Sequence, residues 1–135
     1  MPHVVIHYTA PLAAETDLQR LCRSLADAML GQRDEAGKPV FPPGGVRVYA
    51  VAAQHYAVSD GEHDDAFVYL NLRMGRGRSA AVVQQVGRSL AEVARAHFAP
   101  LLARRPLGLT FQIDEGPEVF DAKLGNLHAR HAKTT

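Results

Sequence analysis

The chain has 135 residues, enough for one compact domain (residues 1–135) and too few for two independent cores. Apolar residues make up 47% and charged residues 21%, which excludes disorder. The formal charge of +1 gives no reason to expect nucleic acid or a membrane surface as partner. No run approaches the roughly 20 apolar residues of a membrane helix. The start, MPHVVIHYTAP, lacks the charged and long apolar regions of a signal peptide, so a cytoplasmic protein is expected. The single cysteine, Cys22, forms no internal disulfide framework and reads as a buried structural thiol.

Val4–Tyr8 is a β-branched run between Pro2 and Thr9-Ala10-Pro11, the signature of a first strand. Thr16-x-x-Gln19 has capping-box spacing ahead of apolar steps of three and four at Leu18, Leu21, Cys22, Leu25, Ala28 and Met29, which predicts an amphipathic helix. The polar, glycine-containing segment Gly31 to Val40 ends it, and Phe41-Pro42-Pro43-Gly44-Gly45 is turn chemistry. Val46–Ala53 reads as a second strand and, after the Ser59-Asp60-Gly61 turn, Ala66–Arg73 as a third. Gly75-Arg76-Gly77-Arg78-Ser79 links that strand to a second helix with Ser79 as N-cap. The helix presents Val83, Val86, Leu90, Val93, His97, Phe98 and Leu101 on one face, ends near Arg104 and is stopped by Pro106. Alternating Leu107, Leu109, Phe111 and Ile113 make a fourth strand, and the C-terminal tail is expected to add a hairpin.

The expected fold is therefore α/β: two β-α-β units form a four-stranded sheet with both helices on one face. The other face is expected to be bare and apolar, which predicts homo-oligomerisation.

Three positions hold chemistry. Loss of Met1 would leave Pro2 as a secondary amine at the start of the first strand. An α-amine has a pKa of about 8, and burial or nearby arginines lower it toward working pH, the condition for a good general base. On the residues alone, a proline at position two is common and has no function. Arg78 lies in a strand-to-helix link whose N–H groups and arginines favour an anion. With Ala80 the link also fits the dinucleotide fingerprint G-x-G-x-x-A, but the chain is too short for a full dinucleotide fold. A plain turn with solvated arginines is the bland reading. Arg47, within the second strand and opposed in facing to Val46 and Val48, says nothing by itself.

The histidines do not form a zinc pattern: His3 with His7, His55 and His63 near Asp64 and Asp65, and His128 with His131 lack paired Cys/His clusters. Neither metal nor cofactor is called for. His97 reads as a satisfied core or interface histidine. Ala66-Phe67-Val68-Tyr69-Leu70 is like the end of an RNA-recognition strand without its preceding basic and aromatic residues.

Taken in order, Pro2-His3, Phe41-Pro42 with Gly45-Val46-Arg47, Asp60-Gly61-x-His63-Asp64-x-Ala66-Phe67-Val68, Gly75-x-Gly77-Arg78-Ser79, His97-Phe98-Ala99 and Asn126-x-His128-Ala129 resemble the tautomerase superfamily, and within it the 5-carboxymethyl-2-hydroxymuconate isomerase family. Gly31 to Val40 and the tail after Asp114 depart from the pattern, and both segments are placed at the border of the pocket. The resemblance implies a homotrimer and a small-molecule anionic substrate. It implies Pro2 as the base that moves a proton along a dienol acid, and Arg47 and Arg78 as binders of carboxylates and the developing enolate. The alternatives are a related enzyme with another substrate and a non-catalytic oligomeric binding protein of the same fold.

Overall fold

The computed structural model describes residues 1–132. Strands β1 (His3–Thr9), β2 (Arg47–Ala53), β3 (Ala66–Met74) and β4 (Leu107–Glu115) alternate with helices α1 (Leu18–Leu30) and α2 (Ala80–Leu102). The sheet order is β2-β1-β3-β4. β1 pairs in parallel with β2 and β3 with β4, while the two central strands are antiparallel. Two β-α-β units are thus joined through β1 and β3, as the order of elements requires.

Alternation decides which side chains reach the core. Val4 and Ile6 of β1, and Val68, Leu70 and Leu72 of β3, are fully buried against Leu21, Leu25 and Met29 of α1 and Val86, Leu90 and Phe98 of α2. The α2 stripe runs Val82, Val86, Leu90, Ala94, Phe98, Leu101, with Val83 and Val93 at its margins. Ser79 caps this helix as expected, its hydroxyl accepting from the Val82 N–H at 3.2 Å.

The opposite face departs from the expected apolar one. Val5 is half-buried, and Tyr49 and Val51 are exposed. Beside them, Tyr69 donates to Gln112 at 2.6 Å and Asn71 to Asp114 at 2.9 Å across β3 and β4. The face carries Val5, Tyr49 and Val51 among His3, His7 and Arg47 on β1–β2 and is polar on β3–β4, because Tyr69, Asn71 and Arg73 alternate with the core residues of β3.

The capping box also gives way. Asp17 is the N-cap of α1, its carboxylate accepting from the Arg20 N–H at 3.0 Å. Asp binds that N–H in a charge-assisted way, which leaves Thr16 for another task. The Thr16 hydroxyl is hydrogen-bonded to His97 Nε2 at 2.8 Å, linking the start of α1 to α2. Burial, then the Arg20 charge, holds the His97 pKa below the usual histidine value, although Asp17 opposes the shift. A depressed histidine pKa favours the neutral ring in the folded chain. Stability is therefore full above the unfolded value near 6.5 and is lost as pH falls through it. The wild-type melting temperature is expected to fall between pH 7 and pH 5, and less steeply in His97→Gln; parallel slopes would show that His97 is not responsible.

Among the described residues the tail forms no hairpin. After β4 the chain runs out with Val119, Phe120 and Leu124 exposed, then closes in a short helix, α3 (Leu127–Ala132). At the far end of the sheet, Arg105 pairs with Glu15 and donates to the Asp64 carbonyl at 2.8 Å, tying the end of α2 to two loops.

Candidate active site

The parallel pairing of β1 with β2 brings both N-terminal ends to one end of the sheet, and antiparallel β3 brings its C-terminal end there too. Pro2, Arg47 and the Gly75–Ser79 link consequently share one end of the sheet. His3 pairs with Arg47 on one side and with Arg73 on the other.

Pro2 is buried, and its carbonyl accepts from the Arg47 N–H at 3.3 Å. The Met1 carbonyl is hydrogen-bonded to His3 Nδ1 at 3.2 Å. With Met1 attached, the Pro2 nitrogen is an amide and has no basicity; removal of Met1 makes it an amine.

Arg47 is half-buried, and its Nη1 donates to the Gly44 carbonyl at 2.9 Å. It lines a groove of about 590 Å³ between α1, the outer edge of β2 and α3, together with Pro43, Tyr49, Arg23 and Cys22. Burial pushes the Cys22 thiol up, which disfavours the thiolate and fits a packing role.

Arg78 is held more tightly. Its Nη2 and Nε donate to the Val40 carbonyl at 3.1 and 3.4 Å, and its Nη1 donates to the Gly75 carbonyl at 3.0 Å. The Phe41 ring lies 5.2 Å from the guanidinium carbon. Each Nη atom carries a second N–H that a ligand oxygen can accept from. Arg76, two residues earlier, is exposed.

The long link after α1 sets this geometry. The Asp34 carboxylate accepts from the Ala36 and Lys38 N–H groups, both at 2.9 Å, and Gly37 takes a φ of +80° to close the turn. Ser79 donates to Glu35 at 2.7 Å, and Gln85 to the Arg33 carbonyl at 3.1 Å, which fixes the link to α2 and aims the Val40 carbonyl at Arg78. Asp34, Glu35 and Arg78 line a cleft of about 140 Å³. Arg47 and Arg78 therefore line different clefts at the same end of the sheet.

The glycine pair explains how α3 joins them. A Cβ on Gly44 would lie 2.7 Å from His128 Cα and 2.9 Å from the Leu127 carbonyl carbon, so only glycine lets α3 dock there. A Cβ on Gly45 would lie 3.4 Å from both His128 Cε1 and Pro2 Cδ. His128 and Pro2 are thus both neighbours of Gly45. The sequence placed His128 in the Asn126-x-His128-Ala129 stretch of the resemblance and gave it no role; the signal that could have assigned one is the glycine pair. Among the described residues, no group of three or more His, Cys, Asp or Glu side chains could hold a metal ion. No helix among them is long and apolar enough to cross a membrane.

Gly44→Ala is expected to push α3 off the turn. Trypsin should then cut after Arg130 and Lys123 much faster, while the stability falls by less than about 1 kcal/mol, since α3 lies outside the main core. An unchanged digestion rate would mean that α3 is not seated there.

The comparisons with known proteins agree over nearly the whole chain. The family model for 5-carboxymethyl-2-hydroxymuconate isomerase matches residues 2–131. The chain is 33% identical over 129 residues to the 5-carboxymethyl-2-hydroxymuconate Delta-isomerase of Escherichia coli, covering 96% of this chain and 98% of that one. A crystal structure of a 5-carboxymethyl-2-hydroxymuconate delta-isomerase superposes with a TM-score of 0.92 at 55% identity, covering 96% and 92% of the two chains. A 5-carboxymethyl-2-hydroxymuconate isomerase from Deinococcus radiodurans R1 gives 0.85 at 37%, covering 96% and 93%. A chain of the Q0 fused 4-OT wild type symmetric trimer, at 16% identity and a TM-score of 0.60, shares the fold alone. With the two β-α-β units and the sheet end that gathers Pro2, Arg47 and Arg78, this places the chain in the 5-carboxymethyl-2-hydroxymuconate isomerase family.

Proposed function

We propose that the chain is a cytoplasmic, homotrimeric isomerase that ketonises 5-carboxymethyl-2-hydroxymuconate or a close polycarboxylic dienol, using the Pro2 amine exposed by removal of Met1. The observation that supports this reading is that buried Pro2, Arg47 and Arg78 lie at one end of the sheet in a chain of this family.

The step needs no cofactor. The neutral amine takes the proton of the substrate's 2-hydroxyl as C2=O forms. The π electrons shift along the diene, and the distal carbon takes the proton back from the Pro2 ammonium. Burial of Pro2 favours the neutral amine, and so does cationic Arg47 on the neighbouring strand. Arg47 and Arg78 hold the carboxylates and stabilise the charge that spreads over the enolate. The exposed Tyr49 and Val51 on the uncovered sheet face support assembly of like chains.

The test is consumption of 5-carboxymethyl-2-hydroxymuconate followed by ultraviolet absorbance. Turnover well above the solution rate is expected. No turnover, with tight binding of dicarboxylates retained, would instead identify a binding protein of the same fold.

A further inference from the structure

The C-terminal helix places an imidazole beside Pro2, and we propose that His128 is a further catalytic residue that contacts the substrate there. It donates a hydrogen bond to the oxygen on which enolate charge develops. The inference rests on the reading of Pro2 as the base and adds a group to that site.

Three observations place it. His128 Cε1 and Pro2 Cδ each lie 3.4 Å from the point where a Gly45 Cβ would stand, so the two atoms are at most twice that distance apart. Cε1 lies between the two ring nitrogens and Cδ is bonded to the Pro2 nitrogen, so each of the two atoms is one bond from a nitrogen that can carry a proton. His128 is also exposed rather than sealed in the core, so a ligand can reach it.

The position is built rather than incidental. The backbone of α3 approaches Gly44 so closely, at 2.7 Å and 2.8 Å from its Cβ position to His128 Cα and N, that any side chain there would displace it. Pro42 Cγ lies 3.3 Å from the Gly45 point and follows the Phe41 on which Arg78 stacks. His128, Pro2 and Pro42 thus meet around one glycine. An imidazole N–H suits an enolate oxygen because it donates without adding a full charge beside an amine that must stay neutral.

The test compares His128→Ala and His128→Gln with wild type and Pro2→Ala, all checked for folding by circular dichroism. His128→Ala should lower kcat about a hundredfold, the scale for loss of a donor to a developing oxyanion, with KM changed by less than about threefold. His128→Gln keeps an N–H donor and should recover to within about tenfold of wild type. A purely structural histidine would instead raise KM and lower stability in both variants. In parallel, the His128 Cε1–H resonance, identified by its loss in His128→Gln, is followed during titration with cis,cis-muconate, a conjugated dicarboxylate with no hydroxyl to ketonise. It should move in wild type and in Pro2→Ala. A moving resonance in an inactive wild type would sink the Pro2 reading and leave the His128 contact standing. A resonance that stays fixed at saturation, or a His128→Ala enzyme with wild-type kcat, would overturn the proposal.

Discussion

Replacing Pro2 by alanine is expected to lower kcat about a hundredfold, on the scale of losing a positioned general base, while the fold persists. Alanine leaves a primary amine after Met1 removal, so the residual rate should come from that weaker-placed base and from the arginines. The ring of Pro2 is buried beside Gly45, so some packing is also lost. That loss should cost about 1 kcal/mol, as for a small truncation at the margin of a core. A large fall in kcat with a small fall in melting temperature separates chemistry from stability. Wild-type turnover in Pro2→Ala would show that the amine is not the base.

Arg78→Ala has the second large effect. The guanidinium is locked by the Val40 and Gly75 carbonyls over the Phe41 ring, so little freedom is lost when it binds a carboxylate. Losing such a charge-assisted, preorganised contact should reduce kcat/KM by about a hundredfold to a thousandfold, with KM rising most. Arg78→Lys should recover only part, because an ammonium cannot span two carbonyls and a ligand as a planar fork does. Arg76→Ala supplies the comparison: Arg76 is exposed and should change kcat/KM by less than about twofold. Equal effects at positions 76 and 78 would mean that net charge, not the held geometry, binds the substrate.

Local patterns were the legible part of the fold. The steps at Leu21, Leu25 and Met29, and the alternation at Val68, Leu70 and Leu72, reach the same core because helix and strand periods each place one face inward. Ser79 was legible as a cap because its partner, the Val82 N–H, lies three residues away. What escaped depends on partners far apart in sequence. Thr16 has ideal capping-box spacing, yet its hydroxyl goes to His97, and Asp17 caps instead. The polar pairs Tyr69–Gln112 and Asn71–Asp114 make half of the second sheet face hydrophilic, which strand alternation alone does not reveal when the partner strand is unknown.

The site divides in the same way. Pro2, Arg47 and Arg78 were readable as residue types, and the strand order brings them to one end of the sheet. The tail was not readable, since α3 has only six residues and its docking is set by Gly44 and Gly45, some eighty positions earlier. The link from Gly31 to Val40 reads in the sequence as a polar departure from the family pattern at the border of the pocket, and Asp34, Glu35 and the Val40 carbonyl make it the support for Arg78.

The most direct test of the central claim is the intact mass of the untagged protein, measured on the same sample that is assayed for ketonisation of 5-carboxymethyl-2-hydroxymuconate. Pro2 as the base predicts a mass lower by one methionine in every active preparation, and activity that disappears when Met1 is kept in place. Full turnover by protein that retains Met1 would contradict it, because an amide nitrogen at Pro2 cannot accept the proton.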